Sequence, residues 1–92
     1  MADLEIEKLI ALSSAHVDRV TMEMIAEHDA GVIAYPNEYG AFLWIGELFV
    51  LDPEKTPEDL AAVIEFARRQ DCDWIKLDRD GQVSDELKTY DW

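Results

Sequence analysis

Two hydrophobic periods alternate along this chain, and the sharpest change between them falls within Thr56 to Gly81. Leu60, Val63, Ile64 and Ala67 recur at helical spacing and share one side, with Glu58, Ala62, Glu65 and Arg69 opposite. The spacing predicts an amphipathic helix with one core-facing stripe. Thr56 is its candidate N-cap, Pro57 fits the first helical position, and Asp59 stands where a capping box places its acceptor. After Gln70 the period becomes two, with Ile75 and Leu77 on one side of a strand and Trp74, Lys76 and Asp78 on the other. Asp78, Arg79, Asp80 and Gly81 then supply a turn.

The rest of the chain reads as elements packed around that pair. Residues 1–7 alternate acidic and apolar side chains, which suits an edge strand or an irregular lead-in equally. The apolar run Leu9, Ile10, Ala11, Leu12 predicts a first strand over Lys8 to Ser13. A first helix follows from Asp18, its N-cap, to about Ala30, with Val17 and Met22 placed for a hydrophobic staple and Gly31 as the left-handed terminator. Val32 to Tyr35 and Ala41 to Ile45 predict a hairpin with a loop from Pro36 to Gly40. Leu48 to Leu51 either continues the strand past a bulge or packs as a loop. The succession is strand, helix, strand, strand, helix, strand. It predicts an α+β fold, a β-α-β-β-α-β ferredoxin-like sandwich. In that arrangement one antiparallel sheet carries both helices on one face, and Val83 to Trp92 adds an extra strand or a covering tail. With no linker, repeat or low-complexity segment, residues 1–92 form a single domain.

Length sets a bound: 92 residues support one modest core and argue against a deep enclosed cleft. Charge changes the picture more. Twenty-one Asp and Glu against eight Lys and Arg leave a formal net charge of −13. Such a field repels phosphates, so it opposes direct binding to nucleic acid or to an anionic membrane. It attracts a basic protein surface, including the groove of a protein that itself binds nucleic acid; solubility is the plainer use of the same charge. No apolar run approaches the roughly 18 residues of a membrane span, and the N-terminus lacks the basic start of a signal peptide. With a lone Cys72 suited to a reducing compartment, a cytoplasmic protein is expected.

Candidate chemistry is sparse. Asp78, Asp80 and Gly81 resemble part of a calcium loop, but the register puts Lys76 at the first ligand position and Leu87 at the last. Cys72 lies between Asp71 and Asp73, whose carboxylates oppose thiolate formation. His16 and His28 have no spaced ligand cluster around them. No catalytic activity, metal or cofactor is expected. The aromatic residues say more. If the aliphatic side of each strand faces the helices, Ile33, Tyr35, Phe42, Trp44 and Trp74 point to the other side of the sheet. A single helical layer cannot cover that side too. Either the chain's own tail, with Tyr90 and Trp92, folds over it, or a second subunit or partner protein does.

Ser13-Ser14-Ala15-His16, Tyr39-Gly40, Asp59-Leu60-Ala61, Cys72-Asp73-Trp74, Leu77-Asp78-Arg79-Asp80-Gly81 and Thr89-Tyr90-Asp91-Trp92 together carry a resemblance. From about Ser13 to Trp92 the chain resembles a family of small acidic proteins of unknown function carried by bacterial plasmids, integrative elements and phages. The Cys-Asp-Trp and Tyr-Asp-Trp pieces are its most specific marks. Relatives often have Gly where this chain has Asp71, which bears on the exit of the second helix. The resemblance assigns no catalytic residue. It implies a genetic setting in which proteins that disarm host defences are common.

Charge and setting lead to one functional expectation: an acidic inhibitor that binds a protein with a basic surface. In its sharpest form it is a DNA mimic of the anti-restriction or anti-CRISPR type. Glu54, Glu58, Asp59, Asp71, Asp73, Asp78 and Asp80 would form its row of carboxylates. The alternative is a structural or regulatory interaction module that uses Tyr35, Phe42, Trp44 and Trp74, a homodimer among its forms.

Overall fold

The computed structural model describes residue 4 and residues 6–92. The expected succession is present: β1 (Leu9–Ser13), α1 (Arg19–Ala26), β2 (Ile33–Asn37), β3 (Gly40–Trp44), α2 (Glu58–Arg69) and β4 (Trp74–Asp78), with a 3-10 turn at Ser14–His16. The alternation expected over residues 1–7 lies partly outside the described residues; residues 4 and 6–8 belong to no strand.

The four strands form one sheet in the order β1-β4-β3-β2. β2–β3 and β3–β4 pair antiparallel, whereas β1 and β4 pair parallel. The sheet is therefore mixed, which corrects the expectation of a wholly antiparallel one. The reason lies in residues 45–57. This connector is long enough to retrace the length of α2, about 18 Å at 1.5 Å per residue. α2 then returns the chain to where β3 ended, so that Trp74 opens β4 directly opposite Trp44. Within the connector Phe49 is buried while Leu48 and Val50 are exposed, so this segment packs as a loop.

Strand alternation separates two faces. Leu12, Ala34, Ala41, Leu43, Ile75 and Leu77 turn inward and meet Ile25 of α1 and Leu60, Val63, Ile64 and Ala67 of α2 in one continuous core. Close approach fixes the hairpin end of the sheet. A Cβ on Gly40 would stand 1.9 Å from the Leu77 carbonyl oxygen. β2 runs on through Pro36, which an edge strand tolerates, so the hairpin loop shrinks to Glu38 and Tyr39.

Both helices end in the same way. After α1, His28 is left-handed (φ 60°), its N–H bonds the Ile25 carbonyl, and the Asp29 N–H bonds the Met24 carbonyl. After α2, Asp71 (φ 59°) bonds Arg68 and Cys72 bonds Ala67 in the same pattern. These are Schellman motifs with a non-glycine residue in the left-handed seat. α1 thus stops at Ala26, before the expected Ala30, and Gly31 (φ 71°) turns the chain only later.

The start of α2 also differs from expectation. Thr56 donates its hydroxyl to the Ala30 carbonyl and caps nothing, and Pro57 takes the N-cap seat. Asp59 reaches across to α1, where its carboxylate accepts the Asp18 N–H at 2.7 Å and the Thr21 hydroxyl at 2.7 Å, and it also accepts the Leu60 N–H. A capping acceptor for α1 is supplied from the first turn of its neighbour.

Candidate functional site

The side of the sheet away from the helices presents three cross-strand rows, set by the register. Leu9, Trp74, Trp44 and Ile33 form the first, Ala11, Lys76, Phe42 and Tyr35 the second, and Ser13, Asp78, Gly40 and Asn37 the third. Two rows are apolar apart from Lys76, and the third is polar. Leu9, Ile33 and Tyr35 are exposed at the margins; Phe42, Trp44 and Trp74 between them are half-buried. All four aromatic residues expected on one face are there.

Side chains within these rows hold one another. Tyr35 reaches across β3 so that its ring lies 5.9 Å from that of Trp74 at a 42° tilt. The Trp74 indole N–H donates to Glu7 Oε2 at 2.6 Å. Lys76 Nζ lies 6.0 Å from the Phe42 ring and 3.7 Å from Asp78 Oδ2. Trp44 lies against Gly46, where a Cβ would stand 2.3 Å from the indole. Glu7, Leu9, Tyr35, Phe42 and Trp74 line a shallow groove of about 590 Å³. Beside it Ile6, Trp44, Glu47, Leu48 and Asp73 share a smaller hollow with Glu7, about 280 Å³.

The C-terminal tail does not lie on this face. It forms no strand and packs against the turn after β1. The Tyr90 N–H bonds the Ala15 carbonyl, and the Trp92 indole donates to the Val17 carbonyl. His16, almost fully buried, is the clasp. Its Nδ1–H donates to the Lys88 carbonyl and its Nε2 accepts the Ser84 N–H, both at 2.9 Å, and these partners fix the tautomer. Its sequence context carries no signal of this role.

The seven expected carboxylates gather in two groups. Glu54, Glu58 and Asp59 stand at the N-terminal end of α2, the end toward which β4 runs with Asp78 and Asp80. Asp71 and Asp73 stand at the other end of α2. Between the groups, the exposed side of α2 carries Glu65 together with Arg68 and Arg69. Three of the seven already serve the fold: Asp59 as above, Asp73 by accepting the Lys8 N–H, and Asp78 by accepting the Asp80 N–H. Glu54, Glu58, Asp71 and Asp80 are exposed.

Residues 9–92 match the model described as Family of unknown function (DUF5983) C-terminal domain. The chain belongs to this family. The match runs from the first residue of β1 to the end of the tail, so it takes in the whole sheet, both helices and the His16 clasp, and it begins just after Glu7. No curated protein and no solved structure matches the chain.

Among the described residues no group of three or more His, Cys, Asp or Glu side chains is placed to hold a metal ion, and no helix is long and apolar enough to cross a membrane. Cys72 is buried, with its sulfur 3.8 Å from the Gln70 carbonyl. His28 is exposed and occupies a helix terminus.

Proposed function

We propose that this protein acts by binding another protein through the outer face of its sheet, without catalysis, and that its partner presents a basic surface. The observation that carries the reading is two adjoining apolar rows, with half-buried Trp74, Trp44 and Phe42 at their centre and exposed Leu9, Ile33 and Tyr35 at their margins, on a chain whose tail packs elsewhere. Aromatic residues dominate the energetics of protein interfaces, and an apolar patch of this kind on a soluble domain marks an interaction surface. The net charge of −13 supports a basic partner and opposes nucleic acid as a direct ligand.

Within this reading, a role as an inhibitor of a host nucleic-acid-binding defence factor, of the anti-restriction or anti-CRISPR type, draws its support from the charge and from the plasmid and phage resemblance. Mimicry of DNA by a continuous row of carboxylates has less behind it. DNA carries one charge per about 1.7 Å of axis, whereas here two acidic groups stand an α2 length apart. A cytoplasmic setting fits the lone Cys72.

Two variants separate the surfaces. One removes the rings, Tyr35→Ala with Trp74→Ala. The other neutralises the exposed carboxylates Glu54, Glu58, Asp71 and Asp80 to Gln or Asn, leaving Asp59 to hold the helices. Capture from host lysate is compared with wild type across a salt series. The ring variant loses its partner and the neutralised variant keeps it, with affinity only weakened. The reverse result refutes the sheet-face interface and restores the mimic. Sedimentation of the purified protein distinguishes a homodimer on the same face.

A further inference from the structure

The geometry points to an arginine-binding subsite on the outer face, formed by Glu7, Tyr35 and Trp74, that takes a guanidinium group from a basic partner. This deepens the interface reading and rests on it.

The chain pairs its own cations with its own rings. Of its eight Lys and Arg, five lie over aromatic faces: Arg68 on Phe49, Arg69 on Phe66, Lys76 on Phe42, Arg79 on Tyr39 and Lys88 on Tyr90. Among the described residues, Tyr35, Trp44, Trp74 and Trp92 pair with no cation, and of these Tyr35 and Trp74 are the two that converge, at 5.9 Å, over the groove. Carboxylates are in the same position. Only two ion pairs form among the described residues, Arg19–Glu23 and Lys76–Asp78. Glu7, at the wall of the groove, is held at one oxygen by the Trp74 indole N–H and forms no ion pair among the described residues. Unmatched ring faces and an unmatched, oriented carboxylate therefore meet in one place, and their joint complement is a cation.

Shape selects guanidinium over ammonium. A planar group can stack on the outer surface of the Tyr35–Trp74 ring pair while its edge donates to Glu7; a compact ammonium cannot do both. Lys76 sets the limit of the subsite. Its ammonium covers Phe42 and is partly neutralised by Asp78, so the guanidinium enters at the Glu7 end of the groove. The acidic field of the whole protein brings the cation in.

The test is NMR titration of the full-length, isotope-labelled protein with an acetyl-Gly-Arg-Gly-amide peptide, following the Trp74 indole N–H. Matched peptides carry citrulline, which keeps the shape without charge, or lysine. The arginine peptide shifts the indole resonance saturably, citrulline binds at least about tenfold more weakly, and lysine falls between them. Glu7→Gln keeps an oxygen for the indole and loses only charge; it weakens the arginine peptide about fivefold. Equal binding of arginine and citrulline overturns the subsite, as does an arginine effect confined to the exposed carboxylates Glu54 and Glu58. If the peptide leaves Trp74 unmoved while the ring variant still loses its lysate partner, the subsite falls and the interface stands. If the peptide binds as expected but the ring variant keeps its partner, the interface falls and the cation site stands.

Discussion

Replacing His16 tests how the C-terminal tail is held. The side chain is 1% exposed and makes two hydrogen bonds to the tail, at Ser84 and Lys88. Each bond contributes about 1 kcal/mol net. Truncating a buried ring costs a further 1 to 2 kcal/mol, roughly, in lost packing, moderated because the site lies near the surface and can partly close. His16→Ala therefore destabilises the domain by about 3 kcal/mol, a large share of the 5 to 15 kcal/mol, roughly, that a domain has. With a denaturant slope of about 1 to 1.5 kcal/mol per molar for a chain of this size, the urea midpoint falls by about 2 to 3 M. Two further variants divide the loss. Gln places an oxygen near the position of Nε2 and keeps the Ser84 bond, while Asn places an amide nitrogen near Nδ1 and keeps the Lys88 bond. Each recovers roughly half the loss. Hydrogen exchange at the Ser84 and Tyr90 amides accelerates in step. A midpoint change below about 0.5 M for His16→Ala, or equal losses for Ala, Gln and Asn, refutes the clasp.

Three other outcomes are expected. Asp71→Gly removes the strain of a left-handed non-glycine residue and stabilises by about 1 kcal/mol, which thermal unfolding reads as a rise of about 4 to 8 °C. Gly40→Ala drives a Cβ into the Leu77 carbonyl and breaks the β3–β4 pairing, so its amide spectrum loses the dispersion of the folded sheet. Deleting Thr89 to Trp92 removes the bonds to Ala15 and Val17 yet leaves iodide quenching of Trp44 and Trp74 unchanged, since the tail does not lie on their face.

The local period of the sequence was enough for the elements themselves. Leu60, Val63, Ile64 and Ala67 at helical spacing, and Ile75 and Leu77 at a spacing of two, have the same meaning in any packing, because side-chain direction follows from the backbone repeat. The same alternation put Tyr35, Phe42, Trp44 and Trp74 on one side of a sheet without knowledge of strand order. The net charge of −13 was likewise legible.

Strand order, helix ends and polar partners required the folded chain. Alternation does not say which strands are neighbours, and only the path of residues 45–57 placed β4 between β1 and β3. Asp71 and His28 sit where glycine is usual because carbonyls of the preceding turn capture the next two amides, a constraint that propensity alone does not express. Asp59 looked like a cap for its own helix and a member of an acidic row. It accepts the Leu60 N–H of its own helix and also serves α1, through bonds to residues 38 and 41 positions away. His16 gave no local sign because its partners lie 68 and 72 residues along the chain. A residue's spacing fixes the face it occupies, but a hydrogen bond needs two groups within about 3 Å, and for groups this far apart in sequence only the tertiary fold brings them that close.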